Sequence, residues 1–174
     1  MKIFGIVGWS GAGKTTLILA LLSELTGRGL RVSTIKHTHH SVDLDRPGKD
    51  TWRHRNAGAT EVVLLSSSRW TLMHELRDER EPEPQELISR MAPVDLLLTE
   101  GFKRSAIDKL EVFRPGLGKP AMYPFDQRII AVASDAPLGD ASVGEATVPV
   151  LPLADPAAIA AFIVRHCDLG GTAA

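Results

Sequence analysis

Apolar and polar positions along this chain switch between two periods, and the switching lays out an α/β plan before any residue chemistry is considered. Ile3-Phe4-Gly5-Ile6-Val7 is a short apolar run of the kind expected in a strand covered on both faces. Behind it Leu17, Leu21 and Leu25, with Ile18 and Leu22 beside them, recur at helical spacing. That helix is predicted to stop at Gly27-Arg28-Gly29, where glycine takes the left-handed cap conformation. Further apolar runs predict strands over 30–35, 94–101, 110–114, 127–135 and 148–153. Helical spacing returns over 51–58, in a short stretch carrying Leu87, Ile88 and Met91, and over 156–167 with Ile159, Phe162 and Ile163 on the core face. Two β-rich runs, 61–66 and 70–76, are separated by Ser67-Ser68-Arg69 and read as a hairpin outside the alternating plan. The acidic, proline-interrupted stretch 78–86 is a surface connection too short to divide domains, and 170–174 is expected to fray. No internal repeat is visible.

Composition narrows the function classes. A net charge of −1 and a pI of about 6.6 give no general attraction to nucleic acid or to an anionic membrane. The single cysteine, Cys167, rules out an intrachain disulfide and suits a reducing compartment. No apolar stretch is long enough to cross a bilayer, and the first strand begins too close to Met1 for a signal peptide, so a cytoplasmic location is expected.

Between the first strand and the first helix lies the chemistry. Gly8, Gly13, Lys14 and Thr15 stand at the spacing of the phosphate-binding P-loop, Gly-x4-Gly-Lys-Ser/Thr. A polyphosphate must lie against backbone N–H groups, so Gly8, Gly11 and Gly13 omit side chains that would block its approach, with Ser10 and Ala12 completing the loop. Lys14 supplies a point charge for the β- and γ-phosphates, the Thr15 hydroxyl is a ligand for Mg²⁺, and Thr16 follows in the first helical turn. Strand, loop and helix in series predict a nucleoside triphosphate site in one P-loop NTPase domain over 1–174: three α/β/α layers on a mostly parallel sheet, with a β-hairpin inserted near 61–76.

Other polar residues fall at predicted strand ends, where ligands bind in open α/β sheets. Lys36-His37-Thr38-His39-His40 invites a metal reading, but no cysteine lies near and His-x-His-His fixes no ligand geometry. Asp45 and Asp50 are candidates for a carboxylate that reaches a Mg²⁺-bound water or the attacking water; Asp50 serves equally as a helix cap. Glu100 ends the apolar run Val94-Asp95-Leu96-Leu97-Leu98-Thr99, the pattern of the acid on the Mg²⁺ side. Asp135, just past 129–133, is placed to accept guanine N1–H and N2–H₂, although Val132-Ala133-Ser134-Asp135 lacks the lysine of the usual Asn-Lys-x-Asp spelling; its alternative is to cap the turn at Ala136-Pro137. The Gly- and Pro-rich stretch 116–124 reads as a loop.

Taken in series, Trp9-Ser10-Gly11-Ala12-Gly13-Lys14-Thr15-Thr16, Ile35-Lys36-His37-Thr38-His39-His40, Asp45-Arg46-Pro47-Gly48-Lys49-Asp50 with Arg55-Asn56-Ala57-Gly58-Ala59, Glu100-Gly101-Phe102-Lys103 and Ala131-Val132-Ala133-Ser134-Asp135 closely resemble the molybdopterin-guanine dinucleotide biosynthesis protein B family. The resemblance runs from Ile3 to about residue 165. It implies a homodimeric, GTP-binding accessory protein of molybdenum cofactor synthesis that assists the nucleotidyltransferase joining GMP to molybdopterin, with molybdopterin itself a possible ligand. It carries nucleotide contacts onto Gly11, Gly13, Lys14, Thr15 and Thr16 and a Mg²⁺-side acid onto Glu100. Trp70, Leu72 and Met73 of the hairpin are the expected dimer residues, since a two-fold pairing closes both strand edges. Two other readings stand beside it. A P-loop kinase of a small metabolite needs an arginine lid, for which Arg77-Asp78-Glu79-Arg80 is too acidic; a metallochaperone GTPase would use the histidine cluster.

Overall fold

The computed structural model describes residues 1–38, 42–137 and 148–170. The chain forms two compact units, one from residues 1–38 and 92–174 and one from 39–91. In the first unit, strands β1 (Lys2–Val7), β2 (Val32–Lys36), β5 (Leu96–Glu100), β6 (Lys109–Phe113), β7 (Ile129–Ser134) and β8 (Val150–Pro152) form a sheet of order β2-β5-β1-β6-β7-β8. Every pairing described in it is parallel. Helices α1 (Lys14–Gly27) and α4 (Pro156–His166) pack together against one face. The fold is the expected α/β class on a parallel sheet.

The sequence periods explain the packing. Side chains alternate across a strand, so Phe4 and Ile6 of β1 point to the helices with Leu96, Leu98, Leu110 and Val112, while Val7 points the other way with Phe113 and Val132. Leu17, Ile18, Leu21 and Leu25 are buried on α1, and Ile159, Ala160 and Ile163 on α4. Each fully buried Leu or Ile contributes about 1.5–3 kcal/mol, which fixes α1 on the sheet and with it the loop at its amino end. On the opposite face the cover over β6 and β7 comes from a connection, not a helix: Ala121 and Tyr123, beside two 3-10 turns at Pro115–Leu117 and Tyr123–Phe125, pack on Phe113, Ile129 and Val132.

β2 begins at Val32, two residues later than its apolar run suggests. Gly29 has φ 82°, and the Leu30 N–H returns to the Leu25 carbonyl at 3.2 Å, so these residues finish α1.

The second unit contains α2 (Asp50–Asn56), the antiparallel pair β3 (Glu61–Leu65) and β4 (Trp70–His74), and α3 (Pro84–Ser89). The hairpin expected over 61–76 is present, inside a unit that extends well beyond it on both sides. Its register pairs Val63 with Leu72 and Leu65 with Trp70, which puts those four side chains on one face; Met73, grouped with Trp70 and Leu72 in the sequence reading, pairs with buried Val62 on the other.

Candidate functional site

The loop between β1 and α1 is shaped by its glycines. Gly8 has φ 146°, and a Cβ there would stand 2.5 Å from the Val112 carbonyl oxygen, a clash with backbone that cannot be relieved locally. Gly13 takes φ 97° and is the N-cap of α1, with no side chain capping the helix. The first-turn N–H groups and the positive end of the dipole therefore face the loop, the arrangement that binds phosphate. Ala12 is buried and its N–H donates to the Trp9 carbonyl at 3.2 Å, while Ser10 and Gly11 form the exposed turn and Thr16 is exposed in the first turn of α1.

Lys14 Nζ donates to the Trp9 carbonyl at 3.0 Å. Burial holds its pKa below the ordinary lysine value, with Lys103 and Lys36 pushing the same way and Glu100 opposing them. Thr15 Oγ1 donates to Glu100 Oε1 at 2.9 Å, and Lys36 Nζ is 3.2 Å from the same oxygen. Glu100 is nearly enclosed, with its side chain 11% exposed. A hydroxyl and a carboxylate are the hard oxygen donors Mg²⁺ takes, so Thr15 and Glu100 are the residues that would hold it. The backbone beyond Glu100 is tightly constrained. Gly101 has φ 98°, a Cβ there would lie 3.0 Å from the His37 carbonyl oxygen, and Phe102 at φ 39° places its ring 5.2 Å from that of His37.

The stretch 116–124, a loop as its composition indicates, packs on the phosphate loop. Trp9 Nε1 donates to the Pro120 carbonyl at 2.7 Å, and the Leu117 side chain lies 4.0 Å from where a Cβ on Gly11 would stand. Buried Glu111 anchors the loop's far end by accepting the Met122 and Tyr123 N–H groups at 2.9 Å. Burial pushes the Glu111 carboxyl above its ordinary pKa, partly offset by those N–H donors. Lys103 Nζ sits 4.4 Å over the Trp9 ring, a cation–π contact on the loop's outer side. Composition hid this strap, because Gly and Pro signal a loop without saying what it packs on.

Arg114 is the second residue the motif does not reveal. Its Nε donates to the Ala12 carbonyl at 2.9 Å and its Nη1 to Asp135 Oδ2 at 3.1 Å. Asp135 follows β7 at the same sheet edge as the P-loop, so the fold brings Gly8 to Thr16, Lys36, Glu100, Arg114 and Asp135 to one region. The signal available in the sequence was a basic residue closing the predicted strand 110–114, at the position just past the observed β6.

Asp45 belongs to the second unit, where it accepts from Thr51 Oγ1 at 2.9 Å and Arg55 Nε at 3.3 Å. Arg55 also holds Asp43 and Glu75, at 2.8 and 2.6 Å. Asp50 is the first residue of α2, and Lys49 takes the N-cap position without a side-chain cap bond. Its carboxylate therefore complements the helix dipole rather than capping an N–H. His39 and His40 lie outside the described residues. Among the described residues no three His, Cys, Asp or Glu side chains gather closely enough to hold a metal.

The family model for molybdopterin guanine dinucleotide synthesis protein B matches residues 3–135. The molybdopterin-guanine dinucleotide biosynthesis adapter protein of Escherichia coli K12 is 44% identical over 168 residues, covering 95% of this chain and 93% of that protein. Its Haemophilus influenzae counterpart is 41% identical over 144 residues, covering 79% and 77%. The crystal structure of Bacillus subtilis MobB superposes with a TM-score of 0.72 at 23% identity, over 96% of this chain and 98% of that one.

Proposed function

The chain belongs to the molybdopterin guanine dinucleotide synthesis protein B family, and we propose that it is a GTP-binding adapter in molybdenum cofactor synthesis. In this reading it assists the nucleotidyltransferase that attaches GMP to molybdopterin. The observation that carries the nucleotide part is the P-loop held between β1 and α1 with Lys14, Thr15 and Glu100 converging behind it. The adapter part is supported by the names of relatives that span nearly the whole chain.

In the proposed complex the N–H groups of residues 8–16 surround the polyphosphate, Lys14 exchanges the Trp9 carbonyl for the β- and γ-phosphates, and Asp135 accepts the guanine edge. Thr15 and Glu100 would hold Mg²⁺, which when bound neutralises developing phosphate charge. Glu100 orients its oxygen through the Thr15 hydroxyl and the Lys36 ammonium. Asp45, proposed from the sequence as a carboxylate of the reaction, accepts from Thr51 and Arg55 within the second unit. Unassisted hydrolysis is slow, on the order of 10⁻⁴ to 10⁻² s⁻¹, because no water-positioning glutamine follows Glu100-Gly101.

The adapter works as a homodimer in this proposal. Val63, Leu65, Trp70 and Leu72 lie on one hairpin face and are 61%, 75%, 65% and 42% exposed, an apolar surface that a second copy covers by two-fold pairing. The test of function is dinucleotide formation by a purified nucleotidyltransferase at limiting GTP, with and without this protein. Stimulation by the wild type and not by Lys14→Ala supports the adapter reading; no stimulation by either removes it.

A further inference from the structure

Between the phosphate loop and Asp135 lies a guanidinium for which the motif has no role. Arg114 Nε donates to the Ala12 carbonyl at 2.9 Å, Nη1 donates to Asp135 Oδ2 at 3.1 Å, and Nη2 is 3.4 Å from where a Cβ on Gly13 would stand. The Ala12 carbonyl and the Gly13 N–H belong to one peptide group. A charged donor on that oxygen polarises the N–H at its other end, the end a phosphate would meet. The Arg114 and Asp135 side chains are 42% and 40% exposed, so their charge attraction alone is worth little in water. What the contact supplies is direction. A planar fork fixed at Nε by buried backbone fixes Nη1 as well, and through it the plane of the Asp135 carboxylate.

We infer that Arg114 is a specificity-determining positioning residue that holds the Asp135 carboxylate in register with the phosphate loop, coupling recognition of the base to recognition of the polyphosphate. This rests on the reading of Asp135 as the guanine acceptor. Guanine presents two parallel donors, N1–H and N2–H₂, which need both carboxylate oxygens in one plane. Each oxygen has two lone pairs, so Arg114 takes one on Oδ2 and leaves the rest of the carboxylate to the base. Adenine has an acceptor at N1 and gains little from an oriented carboxylate. Loss of Arg114 therefore weakens GTP more than ATP.

The experiment is calorimetric titration of Mg·GTP and Mg·ATP into wild type, Arg114→Gln, Arg114→Lys, Asp135→Ala and the Arg114→Gln/Asp135→Ala double variant, each checked by thermal melting. Arg114→Gln is expected to lower the GTP-to-ATP affinity ratio about five- to tenfold. Arg114→Lys is not expected to restore it, because one ammonium cannot span both acceptors as the fork does. The double variant should show a ratio no lower than Asp135→Ala alone, the mark of two residues acting as a unit. If Asp135→Ala loses the preference while Arg114→Gln weakens both nucleotides equally, the inference fails and the reading of Asp135 stands. If the wild type shows no preference, or Asp135→Ala keeps it, the reading of Asp135 fails and the inference falls with it.

Discussion

The Thr15 hydroxyl donates to Glu100 Oε1 at 2.9 Å, joining the last residue of the P-loop motif to the end of β5, eighty-five positions away in the chain. The parallel pairing of β1 with β5 creates this contact, placing Ile6 opposite Glu100 and so bringing the acid to the foot of the loop. Exchange of Glu100 for Gln keeps the size and removes the charge. Mg²⁺ affinity in the presence of GTP should fall about 10- to 100-fold, a loss typical of a removed metal-orienting group. A magnesium titration followed by nucleotide fluorescence reads this directly, and an unchanged midpoint would remove Glu100 from the metal side.

The hairpin yields a prediction about assembly. Trp70→Ser with Leu72→Ser removes two of the four exposed apolar side chains on one face. Sedimentation at micromolar concentration should move from dimer to monomer while the melting temperature stays near that of the wild-type monomer. A dimer that survives both substitutions, or a wild type that is monomeric, places the interface elsewhere or abolishes it.

At the base of the same hairpin, His74 Nδ1 lies 2.8 Å from Glu61 and Nε2 lies 3.1 Å from Glu79. The bond to Glu61 first, and then that to Glu79, raise its pKa above the ordinary value near 6.5. A raised folded-state pKa gives a stabilising contribution that is complete below the unfolded value and lost as pH rises through the folded one. The hairpin base is thus held more firmly at pH 6 than at pH 8.5. Proton resonance of the His74 ring should titrate above 6.5 in the wild type and move down in Glu61→Gln; a midpoint at or below 6.5 would contradict the arrangement.

How much of this was legible in the sequence depends on how local the cause is. The P-loop and its flanking strand and helix are written in contiguous residues, and the parallel order follows from alternating periods. The place of Glu100 at the end of β5 was legible because the apolar run before it closes on an acid. Arg114 was not, since its meaning arises only when β6 lies between β1 and β7, at contacts of 102 and 21 positions' separation. The strap over Trp9 was missed for a similar reason: Pro120 contributes a backbone carbonyl, and a carbonyl has no letter in the sequence. The second unit's extent over 39–91 was hidden because its polar connections look like ordinary loops, although Arg55 and three carboxylates tie them together.

Cys167 offers a check on the closing helix. It is buried against the core, and burial pushes its thiol up to about 11. The thiolate is the reactive form, so a disulfide reagent at pH 8 should label the native protein far more slowly than the denaturant-unfolded chain. Labelling at equal rates would mean that α4 is not docked as described.

Binding of GTP by the P-loop is tested by calorimetric titration of Mg·GTP into the wild type and Lys14→Ala. Lys14 is the loop's own cation, partly buried, with its ammonium now on the Trp9 carbonyl. The wild type should bind at one site per chain, and the variant, still folded by thermal melting, should show an affinity loss of about 100-fold or more, in line with removing a charge-assisted contact from a preorganised site. Near-normal binding by Lys14→Ala, or no heat of binding in the wild type, would mean that the loop is not a GTP site.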